Sequence, residues 1–354
     1  MVAISPDFLE GDRSHRARRM ALALSVLLVL VATLSLGWGA SGTSLPRAIG
    51  DLLAGRELAV QDRVVLLDIR LPRVLMGICV GASLAVSGAV MQGLFRNPLA
   101  DPGLVGVSAG AGLGAILAIV LGGTLPVAVA GLLGWYLVPV AAFLGGWLTT
   151  LVLYRIATRR GRTSVATMLL AGIALAAIMS AVAGVVILRA NDAQLRDLTF
   201  WGLGSLAGAN WPKLLAAAPI MLAALAFAPM LARGLNALAL GEAAAGHVGI
   251  RVQRVKNRAI LMVAAATGAG VAVSGGIGFV GIVVPHLLRL VIGPDHRWLL
   301  VNAGLLGAVM LLLADMVSRT VIAPAELPIG IVTAIFGGPF FLWILLRNRG
   351  VLDL

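Results

Sequence analysis

Residues 70–106 read RLPRVLMGICVGASLAVSGAVMQGLFRNPLADPGLVG, and this stretch decides the fold. Arg70 and Arg73 bracket Pro72 at its start. The 22 residues between Arg73 and Arg96 carry no charge. That is about the length an α-helix needs to cross the hydrocarbon layer of a membrane. Asn97-Pro98 and Asp101-Pro102 then break the helix. Each proline lacks a backbone donor and drives the residue before it out of helical geometry. Gly106, Gly110 and Gly114 follow at a spacing of four, so they share a face that lets another backbone come close. The stretch predicts one end facing an outside partner, a middle that spans the bilayer, and a break that is either part of an inner gate or an ordinary turn.

Composition agrees. Of 354 residues, 60% are hydrophobic and 12% charged, against about 25% charged in soluble domains. Lipid must therefore solvate much of the surface. The apolar runs do not alternate, which favours helices over a barrel. We expect an all-α polytopic protein with about ten spans, at 20–40, 72–92, 103–122, 133–154, 164–188, 213–233, 258–275, 279–292, 298–318 and 328–346. The whole chain, 1–354, reads as one membrane domain with a tail at about 1–19. The run from Met20 follows Arg13, Arg16, Arg18 and Arg19 and reads as a retained first span.

The net charge of +12 comes from arginine clusters between apolar runs and from two lysines, Lys213 and Lys256. This is a topology signal, not a nucleic-acid surface. One face carries about twice the positive charge of the other, so that face and both termini are expected in the cytoplasm. Two longer segments fall on the opposite face, 41–70 and 190–210. Phe200 and Trp201 in the second suit a helix lying at the interface. The main segment on the cytoplasmic face is 234–257, where LALGEAAAGHVG suggests a short helix begun near Gly241 and stopped near Gly249.

The chain echoes itself. GASLAVSG at 81–88 returns as GAGVAVSG at 268–275, and Pro98 and Pro285 repeat the same offset. The expected topology runs the two copies in opposite directions, as an inverted repeat requires.

Arg70, Arg73 and Arg319 all fall at span ends on the outer face, with Asp315 one turn before Arg319. Such a cluster suits capture of an acidic partner, or else snorkelling to headgroups. His15, His247, His286 and His296 lack metal-site spacing, and Cys79 is the sole cysteine. No G-x-x-x-x-G-K-[ST] or H-E-x-x-H occurs, so enzymatic chemistry, including ATP hydrolysis, is not expected here.

These stretches resemble the FecCD-type permease subunits of type II ABC importers for iron chelates, haem and vitamin B12. The matching segments are RLPRVLMG at 70–77, SGAVMQGLFRNPLADPGLVGVSAGA at 87–111, LALGEAAAGHVG at 238–249, GFVGIVVPHLLRL at 278–290, GPDHRWLL at 293–300 and 311–346. The resemblance implies a ten-helix homodimer in the bacterial inner membrane, with two cytosolic ATPase subunits and a periplasmic binding protein. It implies that Arg70, Arg73 and Arg319 dock the binding protein. It implies that Asn97 and Leu99 belong to the cytoplasmic gate. The vitamin B12 permease has small hydroxyl residues in the other gate element, and this chain has Val165 and Ala166 there. Gly241, Glu242 and Ala245, with Gly249 beyond, would form the coupling helix on the ATPase. LRDLTFWGLGSLAGA at 195–209 is most similar to haem-importer permeases, so haem is the expected cargo, ahead of ferric siderophore and vitamin B12. No resident cofactor is implied. A stand-alone secondary transporter or channel would need mid-depth ionisable residues; a membrane scaffold without cargo would need no central path.

Overall fold

The computed structural model describes residues 13–39, 43–160 and 162–347. The helices in chain order are α1 (Ser14–Gly37), α2 (Leu45–Leu53), α3 (Val60–Arg63), α4 (Leu71–Phe95), α5 (Val107–Leu121), α6 (Val127–Leu133), α7 (Leu137–Ala157) and α8 (Val165–Ile187). They continue as α9 (Asp192–Leu203), α10 (Trp211–Phe227), α11 (Ala232–Ala239), α12 (Glu242–His247), α13 (Val252–Ser274), α14 (Val280–Ile292), α15 (His296–Ser318) and α16 (Ile329–Arg347). The strands among the described residues are β1 (Thr158–Arg159) and β2 (Arg162–Thr163), a small antiparallel hairpin.

Eight helical segments are long and apolar enough to span a membrane; α14 and α16 are apolar but shorter. Each expected span coincides with one of these ten. Several span ends shift by up to six residues, and two bounds differ more in kind. The second span does not begin at 72, because the chain is helical from Val60 to Phe95. Val64–Arg70 winds wider than an α-helix, and Leu71 N–H donates to Leu66 C=O, five residues back. The next bond of that kind would run from Pro72 to Leu67, and proline has no donor. Trp211 Nε1 donates to Leu67 C=O instead, at 2.9 Å. The segment expected over 234–257 is also shorter, since α11 and α13 consume both its ends and leave 240–251 around α12. The tail to residue 12 lies outside the described residues.

α4 is the axis of the bundle. From Pro72 onward nearly all of it is buried, against α15, α13, α14 and α10. The approach is backbone to backbone. A Cβ at Gly88 would strike the carbonyl of Gly281 on α14, and one at Gly81 that of Gly307 on α15. On the other side of the bundle Gly110 and Gly114 lie against α7, at Gly145 and Ala141. Gly106 stands just before α5 in left-handed geometry, φ 74°, and meets Thr149 of α7. These contacts put the small-residue face where its spacing predicted. α8 is the opposite case: only Met168, Gly172 and Ala183 of its 23 residues are buried.

α9 carries the capping box Asn191/Gln194, and Gln194 Nε2 donates to Ile119 C=O at 3.0 Å, closing the end of α5. Phe200 is exposed as expected for an interface helix. Trp201 instead packs inward, on Ala111, Ala142, Val271 and their neighbours.

The two halves of the sequence echo lie on α4 and α13, which touch. The match does not extend to local structure. The first copy continues seven residues to Phe95, whereas the second ends its helix at Ser274. Gly275, φ 69°, stops it there, and a Cβ at this position would strike the Trp201 carbonyl. Pro98 therefore sits in a turn, and Pro285 sits inside α14.

Candidate functional site

Two ends of the bundle hold the residues singled out in the sequence. At the end where α4 begins, Arg70, Arg73 and Arg319 converge. Arg70 Nη1 donates to Leu36 C=O at 2.7 Å. Arg73 donates from Nε and Nη2 to Asp315 Oδ1, at 2.9 and 2.8 Å. Its Nη1 and Nη2 also grip the two oxygens of Glu326, each at 2.8 Å. Arg319 Nε lies 3.2 Å from Asp315 Oδ2, the turn-spaced pair the sequence anticipated. Its Nη2 donates to Ser35 Oγ at 2.6 Å.

The three arginines thus share one level, but they do not stand on an open face. They are 4%, 5% and 7% exposed, and Asp315 is fully buried. Burial is tolerable because each charge has an opposite charge or a carbonyl at hydrogen-bond distance; an unpaired one would be costly. Glu326, half-buried in the loop before α16, is the outermost member. The Arg73 hydrogen bonds hold its carboxyl below the usual glutamate range, against the opposite pull of burial. The loop is anchored on both sides: Leu327 N–H donates to Ser318 C=O at 2.9 Å, and Ile329 N–H to Gly204 C=O at 2.9 Å.

At the other end α4 stops with Arg96 in left-handed geometry, φ 50°. Asn97 N–H reaches back to Gln92 C=O at 3.1 Å, a Schellman closure with arginine in the place glycine usually takes. Two side-chain turns follow. Asn97 Oδ1 accepts from Leu99 N–H at 2.9 Å. Asp101 Oδ1 accepts from Gly103 N–H at 2.7 Å. Each Asx-Pro pair thus builds its own turn, the side chain standing in for backbone. Burial pushes the Asp101 carboxyl up, partly offset by the Gly103 N–H. A cavity of about 210 Å³ opens beside it, lined among others by Leu84, Asp101, Ser108, Thr267 and Gly278.

The turn 102–105 packs against α8. Val165 is the first residue of α8, half-buried, and Ala166 is exposed. Ser164 caps the helix, its Oγ accepting from Thr167 N–H at 3.2 Å. The end of α4, where Arg96 approaches Gly241, and the start of α8, held through Thr163 by Gln253 and Lys256, lie at one end of the bundle; the turn at 101–105 reaches back toward Gly281 and Thr267. Asn97 itself spends its side-chain oxygen on Leu99, not on α8.

α12 lies at that end too. Gly241, φ 103°, begins it and Gly249, φ 82°, ends it, as the glycine spacing predicted. Ile250 N–H donates to Ala245 C=O at 3.0 Å to close it. Ala245 is fully buried and fastens the helix to the bundle, while Leu240 and Val248 are exposed at its flanks. Glu242 pairs with Lys256 Nζ at 2.7 Å.

The partners of these residues were not foreseen. Glu326, Lys256 and Thr163 take part only through contacts 253, 14 and 93 residues apart. No helical periodicity links them. Among the described residues no three His, Cys, Asp or Glu side chains cluster as metal ligands.

Comparison with known proteins places this geometry. Residues 27–347 match the FecCD transport family. The chain is 46% identical over 330 residues to the hemin transport system permease HmuU of Yersinia pestis, covering 93% of this chain and 96% of that protein. It is 43% identical over 342 residues to the vitamin B12 import system permease BtuC of Salmonella typhi, covering 95% and 98%. Its fold resembles a solved metal-chelate-type ABC transporter in an inward-facing conformation, with a TM-score of 0.81, 33% identity, and coverage of 93% and 99%. The ten-helix bundle built around α4 is a permease, and the chain belongs to the FecCD transport family.

Proposed function

We propose that this chain is the transmembrane subunit of an ATP-binding-cassette importer of the bacterial inner membrane, and that its cargo is haem. It works as a homodimer with two cytosolic ATPase subunits, which hydrolyse the ATP, and a periplasmic protein that delivers haem. The observation that carries this reading is the 46% identity to a hemin permease along 93% of the chain. The segment LRDLTFW at 195–201 supports the same cargo.

Each site has a role in this reading. Arg70, Arg73 and Arg319 receive acidic residues of the binding protein. Asn97, Leu99, Val165 and Ala166 belong to the cytoplasmic gate. Gly241, Glu242, Ala245 and Gly249 form the coupling element on the ATPase. The sparse burial of α8 supports a second copy as its cover, since an apolar helix with three buried residues leaves a wide face unpartnered. A secondary transporter is disfavoured, because Asp315, the fully buried carboxylate, is occupied by Arg73 and Arg319, and the Asp101 carboxyl is engaged by Gly103 N–H.

Ferric siderophore is the second reading of the cargo, favoured by likeness to a metal-chelate-type transporter. Vitamin B12 ranks third, since Val165 and Ala166 stand where the vitamin B12 permease has hydroxyls. Reconstitution with the ATPase and the binding protein decides. ATP-dependent uptake of haem, without uptake of ferric siderophore or cobalamin, is the expected result. Uptake of another of these cargoes instead would overturn the haem assignment, and uptake without the ATPase would overturn the class.

A further inference from the structure

We infer that Lys256 is the joint through which α12 moves the start of α8. The inference rests on the permease reading above and adds a positioning residue to it.

The contacts form a short chain. Glu242 is the first residue of α12 and its side chain is half exposed. Lys256 lies in the first turns of α13 and is 4% exposed. Its ammonium donates to Glu242 Oε1 at 2.7 Å and to Thr163 C=O at 2.8 Å. Thr163 is held at its other polar atoms as well. Its N–H donates to Gln253 Oε1 at 2.9 Å, and its hydroxyl meets Gln253 Nε2 and Thr158 Oγ1. Gln253 and Lys256 are three apart, so one face of α13 holds the whole residue. Thr163 is followed by Ser164, the cap of α8, and then Val165. Ser164 N–H in turn donates to Ala157 C=O at 2.9 Å, so the hairpin cannot let the cap drift. One side chain and two backbone positions separate the head of α12 from the head of α8.

Charge makes this chain resist parting. If Glu242 moves, Lys256 is left in a buried site with a neutral carbonyl as its remaining partner. A buried cation without its counter-charge is expensive. Lys256 therefore follows Glu242, and Thr163 follows Lys256. A compact ammonium with three donors suits a joint that must bond two elements at an angle. The bland alternative is that Lys256 only stabilises the fold. That role would not depend on nucleotide.

The test uses the full complex in lipid vesicles. Ala166, exposed at the head of α8, is changed to cysteine in a Cys79→Ser background. A maleimide then reports its accessibility with and without ATP and Mg2+. The parent is expected to change its modification rate on adding nucleotide. Lys256→Met should cut that nucleotide-dependent change by about tenfold, the worth of one hydrogen bond to a charged group. Lys256→Arg should retain it. ATP hydrolysis should continue in both, which separates lost transmission from lost assembly. A Lys256→Met complex that responds like the parent overturns the inference. A parent that does not respond overturns the gate role proposed for α8, and the inference with it. Should Lys256→Met fail to assemble, Glu242→Gln removes the same charge pair from its exposed side. A parent-like response there overturns the joint equally.

Discussion

Arg73 on α4 and Asp315 on α15 are 242 residues apart in sequence, yet two nitrogens of the arginine share one oxygen of the aspartate. Asp315 also faces Arg319, so one buried carboxylate neutralises two cations. Asp315→Ala should lower the unfolding temperature in detergent, at a cost of roughly 3–5 kcal/mol, because it leaves two buried guanidiniums short of charge. Arg73→Met combined with Asp315→Leu should cost less than the two single changes added together. Full additivity would show that the pair is not coupled.

Glu326 gives stability a pH dependence. Its folded pKa lies below the ordinary value of 4.5. The carboxylate therefore stabilises the fold above that value, and the contribution fades as pH falls through the lowered one. Glu326→Gln should be less stable than the parent at pH 7 and should lose part of the acid-side slope. Thermal unfolding from pH 7 to 3 measures it; parallel curves would contradict the assignment.

Trp211→Phe keeps most of the ring and removes the donor to Leu67 C=O. The expected loss is about 0.5–1.5 kcal/mol, the net worth of one hydrogen bond. Amide exchange should accelerate first between residues 64 and 71, where the helix is wound wide. Protection unchanged there would mean that water satisfies the carbonyl equally well.

Gly88→Ala sets a methyl group against the Gly281 carbonyl, where backbone cannot step aside. Overpacking of this kind costs about 1–3 kcal/mol. The same change at Gly112, which has open space around it, should be silent. Comparing the two unfolding temperatures isolates the steric cause.

Reversing Arg70 and Arg73 to glutamate together should abolish docking of the binding protein, measured with the complex in nanodiscs. The single change Arg70→Glu is the cleaner probe. Arg73 also holds Asp315, so its loss disturbs the bundle as well. Undiminished docking by the Arg70→Glu protein would remove that residue from the partner surface.

The sequence made the spans legible because lipid imposes a simple rule of length and apolarity on each of them. The glycine limits of α12 were legible too, since positive φ favours glycine. So was the Asp315–Arg319 pair, four residues apart on one helix. What stayed hidden was long-range. The helix over Val60–Leu71 contains Asp62, Arg63, Asp68 and Arg70, charges that end a hydropathy window without ending backbone hydrogen bonding. Its passage through Pro72 depends on Trp211, 144 residues from the carbonyl it serves. Glu326 reads as an ordinary loop residue until the fold brings Arg73 to it. The echoed octapeptides differ in local structure, because left-handed Gly275 ends one helix directly after its copy while the other runs on to left-handed Arg96.

The glycine contacts along α4 carry a mechanical consequence. Where main chain rests on main chain, as at Gly81 with Gly307 and Gly88 with Gly281, no flexible side chain is left to act as bearing. α4, α14 and α15 are locked into a single stiff keel. A motion that keeps these contacts must carry the three helices together as one unit.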